Sequence, residues 1–438
     1  MNRKEILENA LKYAETTREF ICESGALRKL SGCLERLFPG RAVILTADEH
    51  TWEAAGSRTA SLLSQAGIHS LPPFIFPGEP MLDASVSHAQ RLAAYYEGFP
   101  EALPVAVGSG TINDLVKLAS HMTGRTYASV PTASSVDGYA ADGAPVLKGG
   151  CKVTVPCPAP AVITADTDVL AAAPRELTSS GYGDLSSKIP AGADWLLADA
   201  LGEDKIDPEA WQLVQEHLEH WLQDPLDTEA LFIGLTLCGI AMQYMRSSRP
   251  VSGAEHMLSH VWEMRLHSRG GTPALHGQKV ALAVQIIGAA YSWLLDRGPE
   301  GGDLCAPWDD RLQEKHDLLK REFGELEGYG ELKRILDSKY PSYEHINRRR
   351  EMLITRWEET AVLLKRRLVP LETLKKMLGQ AGCPLRAEEI GLERTSAIET
   401  LRTAQLIRNR YMIFDALDDL GLLERCISGL LDDPDLLF

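Results

Sequence analysis

The sequence predicts a chain of two kinds of structure: a Rossmann-like α/β domain with a mostly parallel sheet, followed by an all-helical domain. Three observations carry this. Short apolar runs alternate with helical patterns through roughly the first 170 residues, the signature of repeated βαβ units. Two of those runs end in glycine-rich or hydroxyl-rich turns. From about Ser179 onward helical periodicity dominates, with Pro and Gly only as punctuation.

Taken in order, Arg41 to Thr46 reads as a strand and Trp52 to Ala66 as the helix after it. Leu71 to Phe76 is a second short strand, and Leu82 to Glu97 a helix. Pro104 to Gly108 is a strand running into a glycine turn, and Tyr127 to Pro131 is another strand. A hinge is expected near 165–180, around Ala165 to Asp168 and Ala173-Pro174. Helices are expected around 208–222, 227–246, 253–267, 274–296, 308–324, 345–367, 370–380, 393–408 and 412–431. The expected domains are 1–175, binding a dinucleotide, and 176–438, binding metal and substrate. Arg348 to Glu351, charged and within a helical pattern, reads as a solvated face.

The balance of 45 basic against 61 acidic residues gives a net charge of −16, which argues against a nucleic-acid or anionic-membrane surface and leaves room for a local basic pocket. The most apolar stretch, Val280 to Leu295, is broken by Gln285 and Ser292. It falls short of the ~20 residues that span a bilayer and reads as a buried helix, so no membrane-embedded segment is expected. The charged start, Met1 to Glu5, leads into no apolar run and does not resemble a secretory leader. The eight cysteines are scattered with no Cys-x-x-Cys pair, which fits a reducing, cytoplasmic setting.

Candidate chemistry begins at the glycine turn, where Gly108, Ser109, Gly110, Thr111 and Ile112 join a buried strand to a helix. Glycines let the backbone turn sharply, and the N–H groups and dipole of a new helix favour a pyrophosphate. Thr132, Ala133, Ser134 and Ser135 follow the next strand and put three hydroxyls at its carboxyl end, where open α/β sheets bind ligands. Asp48 ends the first strand; a carboxylate there suits an adenosine ribose and equally suits a helix N-cap near Thr51.

Four of the twelve histidines, His256, His260, His267 and His276, fall close together. His256 and His260 share one helical face, and His276 opens another helix. Upstream, Asp184 sits in an otherwise uncharged patch, read as the first turn of a helix. One carboxylate and two imidazoles suit a borderline divalent metal with positions left open. His217 and His220, among glutamates and a glutamine, read as solvated surface.

Four elements occur in one order: Gly-Ser-Gly-Thr-Ile-Asn-Asp from Gly108, Pro-Thr-Ala-Ser-Ser-Val-Asp-Gly from Pro131, Gly-Tyr-Gly-Asp with Lys188, and Ser-Gly-Ala-Glu-His followed by His-Gly-Gln-Lys. This order resembles the sn-glycerol-1-phosphate dehydrogenases, bacterial branch, within the superfamily of glycerol dehydrogenase, iron-type alcohol dehydrogenases and dehydroquinate synthase. The resemblance covers roughly residues 40–290. It implies NAD(H) or NADP(H) on Gly108 to Ile112 and Thr132 to Ser135. It implies one divalent metal ion, nickel or zinc before iron, on Asp184, His256 and His276. Asp137, Asp184 and His260 would meet the substrate, with Lys188 a candidate for its phosphate. Ala141 stands where a polar cofactor contact is expected. The implied reaction interconverts dihydroxyacetone phosphate and sn-glycerol 1-phosphate in a cleft between the two domains of a homodimer, supplying a backbone for lipid synthesis. Asp184 and His260 would be catalytic. A glycerol or polyol dehydrogenase is the alternative, as is a dehydroquinate-synthase-like cyclase. The cyclases carry glutamate as the acidic ligand, where this chain has aspartate.

Overall fold

The computed structural model describes residues 2–148, 151–268, 274–302 and 308–437. The chain divides into two compact units, and neither follows the expected boundary at 175/176: the first holds Met1–Lys148, Lys152–Leu185 and Glu209–Ser248, the second takes in Ser186–Pro208 and Arg249–Phe438.

The first unit is built on six strands: β1 (Glu19–Glu23), β2 (Val43–Asp48), β3 (Phe74–Phe76), β4 (Leu103–Gly108), β5 (Ala128–Pro131) and β8 (Val162–Asp166). They lie in the order β1-β8-β5-β4-β2-β3, every pairing parallel. A second, two-stranded sheet pairs β6 (Ala144–Lys148) with β7 (Cys151–Val155). The central strands β4, β5 and β8 are buried along their whole length, as parallel strands covered on both faces must be. That is why β4 appears in the sequence as an unbroken apolar run, whereas Ser129 in β5 and Thr164 and Asp166 in β8 interrupt theirs. Strand β1 escapes such a reading because it is an edge strand, bounded by Glu19 and Glu23 and only half buried. Strand β8 falls just before and within the expected hinge.

Helix Thr228–Met245 belongs to this first unit and not to the helical one. Its Phe232 ring lies 6.0 Å from Phe20 on β1 and 5.3 Å from Tyr139. Helix His276–Arg297 is in the second unit. Both helices are long and apolar enough to cross a membrane, but 78% and 72% of their apolar windows are buried inside the protein, as the core-helix reading of Val280 to Leu295 expects.

Several helices expected as one are two. The 345–367 stretch breaks into Tyr343–Thr355 and Trp357–Arg367, and 412–431 into Ile413–Asp419 and Leu423–Asp432, with Gly421 left-handed at the second break. Asp184 does not open a helix. It lies in the last turn of Arg175–Ser186, which starts directly after Pro174, within the expected hinge. The reading of Arg348 to Glu351 as a solvated face fails at Arg349, which is 3% exposed and grips Asp419 with two hydrogen bonds of 3.0 and 3.1 Å. Charge alone does not reveal this, because the partner lies seventy positions away.

Removing one partner of a buried pair strands the other charge, so Arg349→Ala should cost about 4 kcal/mol of unfolding free energy in urea. Arg348→Ala, on the exposed side of the same helix, should stay within about 0.5 kcal/mol.

Candidate active site

The glycine turn and the hydroxyl-rich segment leave the sheet side by side. Gly108 at the end of β4 pairs in register with Pro131 at the end of β5, and the Thr132 N–H donates to the Gly108 carbonyl at 3.1 Å. Helix Gly110–Met122 then begins with Ser109 at its N-cap in an extended conformation, and the Ser109 hydroxyl does not cap it. The first N–H groups of an α-helix have no partner within the helix, which suits an anion. The glycines themselves serve packing: a Cβ on Gly108 would meet Ile112 Cβ at 2.5 Å, and one on Gly110 would meet Val136 Cγ2 at 2.7 Å. Gly110 is thus needed because the next segment lies against it.

That segment, Thr132 to Ala141, is held from several sides. Helix Arg175–Ser186 crosses it so closely that a Cβ on Gly181 would sit 1.8 Å from the Ser134 carbonyl oxygen. Ser180 donates its hydroxyl to the Ser135 carbonyl at 3.1 Å, and Ser134 donates to the Thr228 carbonyl at 3.2 Å. The buried Lys117 ammonium reaches the carbonyls of Gly138 (2.8 Å) and Gly143 (3.0 Å). Gln243 Nε2 donates to the Ala140 carbonyl at 2.6 Å. Ala141 is buried beside them. Because of this clamping, the Asp137 N–H donates to Asp184 Oδ2 at 2.9 Å, which orients the Asp184 carboxylate.

Asp184, His256 and His276 each offer a ligand atom, and the three atoms lie within 4.8 Å of one another. His256, on helix Ala254–Ser268, places Nδ1 2.8 Å from Glu255 Oε1. With its proton donated there, the imidazole keeps the Nε2 lone pair for an ion. His276, the first residue of helix His276–Arg297, has its buried Nδ1 without a hydrogen-bond partner among the described residues, 3.7 Å from Glu263 Oε1. An orphaned ring nitrogen, an oriented carboxylate and a carboxylate-backed imidazole fit a divalent cation, and the donor set is that of a borderline metal.

His260 completes the group, its ring centroid 6.2 Å from those of both His256 and His276. Burial holds its imidazole well below the usual histidine range, opposed by Glu263 and reinforced by the charges of His276, Arg408 and His256. The buried Asp194, on helix Lys188–Ala200, sets the start of the histidine helix: its Oδ2 accepts the Ala254 N–H at 2.7 Å, and its Oδ1 accepts the Tyr291 hydroxyl at 2.6 Å. Burial, then the Glu255 charge, push Asp194 up to about 7.

The expected ligands therefore meet, as do the two expected cofactor segments. Asp48 acts as an N-cap, accepting the Thr51 N–H at 2.8 Å. Lys188 opens the helix after Asp184, fully buried, its ammonium 3.2 Å from the Ser187 hydroxyl. His217 and His220 are half buried rather than solvated, packed edge-on against Trp221 at 6.2 and 5.0 Å. Sequence reasoning passed over Glu255, although it adjoins His256, and Lys117, although it lies one helical turn after Asp114.

Residues 21–174 match the family model of iron-containing alcohol dehydrogenases. Over 299 residues the chain is 31% identical to a glycerol-1-phosphate dehydrogenase of Halalkalibacterium halodurans, covering 66% of this chain and 71% of that one. The chain belongs to the glycerol-1-phosphate dehydrogenase family. A Methanosarcina acetivorans member is 30% identical over 286 residues, which cover 63% of this chain and 76% of that one. A Bacillus velezensis member is 34% identical over 263 residues, 57% and 66% of the two chains. The fold is shared with a probable glycerol dehydrogenase of Sinorhizobium meliloti at TM-score 0.58 and 14% identity, covering 94% of this chain and 98% of that one. Glycerol-1-phosphate dehydrogenase family membership makes the chain an oxidoreductase. The family and the Asp/His/His cluster together support NAD(P) and a divalent metal.

His256→Ala and His276→Ala should each lose the metal in elemental analysis, whereas His217→Ala and His220→Ala should keep it. Gly181→Ala forces two backbones apart, so about 3 kcal/mol of stability should be lost, with weaker NAD(H) binding by fluorescence titration.

Proposed function

We propose that this chain interconverts dihydroxyacetone phosphate and sn-glycerol 1-phosphate with NAD(H) or NADP(H) and one divalent metal ion, nickel or zinc ahead of iron. The observation that carries the reading is the convergence of Asp184, His256 and His276 in a chain whose relatives are glycerol-1-phosphate dehydrogenases. When bound, the metal supplies Lewis acidity at the C2 oxygen and the nicotinamide supplies the hydride.

The protein's own residues do the rest. Asp184, His256 and His276 hold the ion, Asp184 oriented by the Asp137 N–H and His256 by Glu255. Gly108 to Ile112 and Thr132 to Ser135 hold the dinucleotide at the carboxyl ends of β4 and β5. Asp137 and Asp184 meet the substrate. His260 relays the proton, passing one ring N–H proton to the C2 oxygen while its other nitrogen takes one up from water in the reductive direction, and the reverse in the oxidative one. Lys188 is a candidate for the substrate phosphate. A cytoplasmic homodimer, feeding glycerophosphate to lipid synthesis, completes the reading.

Initial rates with dihydroxyacetone phosphate, dihydroxyacetone, glyceraldehyde 3-phosphate and glycerol, in metal-stripped and metal-restored protein, test it. Dihydroxyacetone phosphate should be favoured and should need the metal. Steady bulk oxidation of NADH separates this from a cyclase, which shows none. His260→Ala should keep its metal and lose on the order of 10²–10⁴-fold in kcat/KM. Normal turnover in that variant would remove His260 from the reaction.

A further inference from the structure

Helix Ala254–Ser268 carries two glutamates, Glu255 and Glu263, and each faces one of the two candidate ligand histidines. Glu255 Oε1 lies 2.8 Å from His256 Nδ1, within hydrogen-bond reach. Glu263 Oε1 lies 3.7 Å from His276 Nδ1, just beyond that reach. The His276 Nδ1 is shut off from solvent and makes no hydrogen bond among the described residues.

The Glu263 carboxylate is held from the neighbouring helix. Its side chain is 10% exposed, and its Oε1 accepts from Lys279 Nζ at 2.9 Å. Lys279 is itself buried, and it follows His276 by three positions on the same side of helix His276–Arg297. Its ammonium also donates to the Ala274 carbonyl at 2.6 Å. One lysine thus pins the carboxylate to the turn of chain that leads into His276. A buried carboxylate is strongly disfavoured without a counterion; paired with Lys279, it can stay charged beside the imidazole.

We propose that Glu263 is the positioning residue of His276: it accepts the Nδ1–H and so leaves Nε2 for the ion, as Glu255 does for His256. The proposal rests on the reading of Asp184, His256 and His276 as the metal ligands. A ring that gives electron density to a cation through Nε2 becomes a stronger donor at Nδ1. A facing carboxylate then fixes the tautomer and the ring's orientation and raises its basicity. The 3.7 Å gap is one that filling the site closes.

The test reads metal affinity in the full chain, by competition with a chelator for zinc and for nickel. Glu263→Gln keeps the size and removes the charge, and Kd for either ion should rise on the order of 10–100-fold. Lys279→Met removes the counterion but leaves the carboxylate beside the ring, so its Kd should rise much less. In the zinc-loaded wild type, low-field proton spectra in water should show the Nδ1–H resonances of two carboxylate-bound imidazoles. Glu263→Gln should lose one and keep that of His256. Glu263→Asp, whose carboxylate is drawn back by one methylene, should raise Kd roughly tenfold and carries the same test if Glu263→Gln does not fold. An unchanged Kd, or both resonances kept, would overturn the proposal. Equal losses of affinity in Glu263→Gln and Lys279→Met would overturn it too, by showing that Glu263 serves only as the counterion of Lys279. Full metal retention in His276→Ala is a separate failure: it removes His276 from the ligand set, and Glu263 with it, whatever the Glu263 variants do.

Discussion

One backbone contact sets the geometry on which the dehydrogenase chemistry depends: Gly181 pressed against the carbonyl of Ser134. Only a residue without a Cβ lets a helix and an extended segment come so close. The contact lays helix Arg175–Ser186 across the loop that leaves β5, and that brings the Asp184 carboxylate within reach of the Asp137 N–H. Gly239 repeats the device on helix Thr228–Met245, where a Cβ would lie 2.8 Å from that of Ala140. Two helix glycines thus press on the same ten-residue stretch, and Lys117 and Gln243 satisfy carbonyls that this crowding shuts away from water.

In the second unit a comparable role falls to Asp194. A buried carboxylate is tolerated when its lone pairs are used, and Asp194 accepts from the Ala254 N–H, the Tyr291 hydroxyl and the Ile413 N–H. Through these bonds one side chain fixes the first turn of the helix bearing His256 and His260, and the exit of the segment bearing Arg408. The nearby Glu255, bonded to His256 Nδ1, holds the imidazole in the tautomer that an ion requires.

Buried charge pairs tie the C-terminal helices together. Lys315, Lys339 and Arg349 each meet an aspartate, on Asp418, Asp415 and Asp419 respectively, and these pairs join helices distant in sequence. Arg408, of intermediate exposure, has an enclosed Nε that makes no hydrogen bond among the described residues. A chain with net charge −16 can still present a local positive site, because a small anion responds to the groups within a few ångströms and to little beyond.

The sequence by itself determined the class of fold, strands β2 to β5 and the residue types of the metal cluster. Buried parallel strands must be largely apolar, turns that approach a neighbouring segment must be glycine, and a borderline cation needs imidazole and carboxylate. Those demands act locally and leave visible marks at Val105 to Gly110, Asp184 and His256. Tertiary structure alone decided that Thr228–Met245 packs with the sheet, that Asp184 ends its helix, and that Arg349 is buried. Each of these depends on a partner many residues away. A side chain's own letter is the same whether its charge faces water or an aspartate.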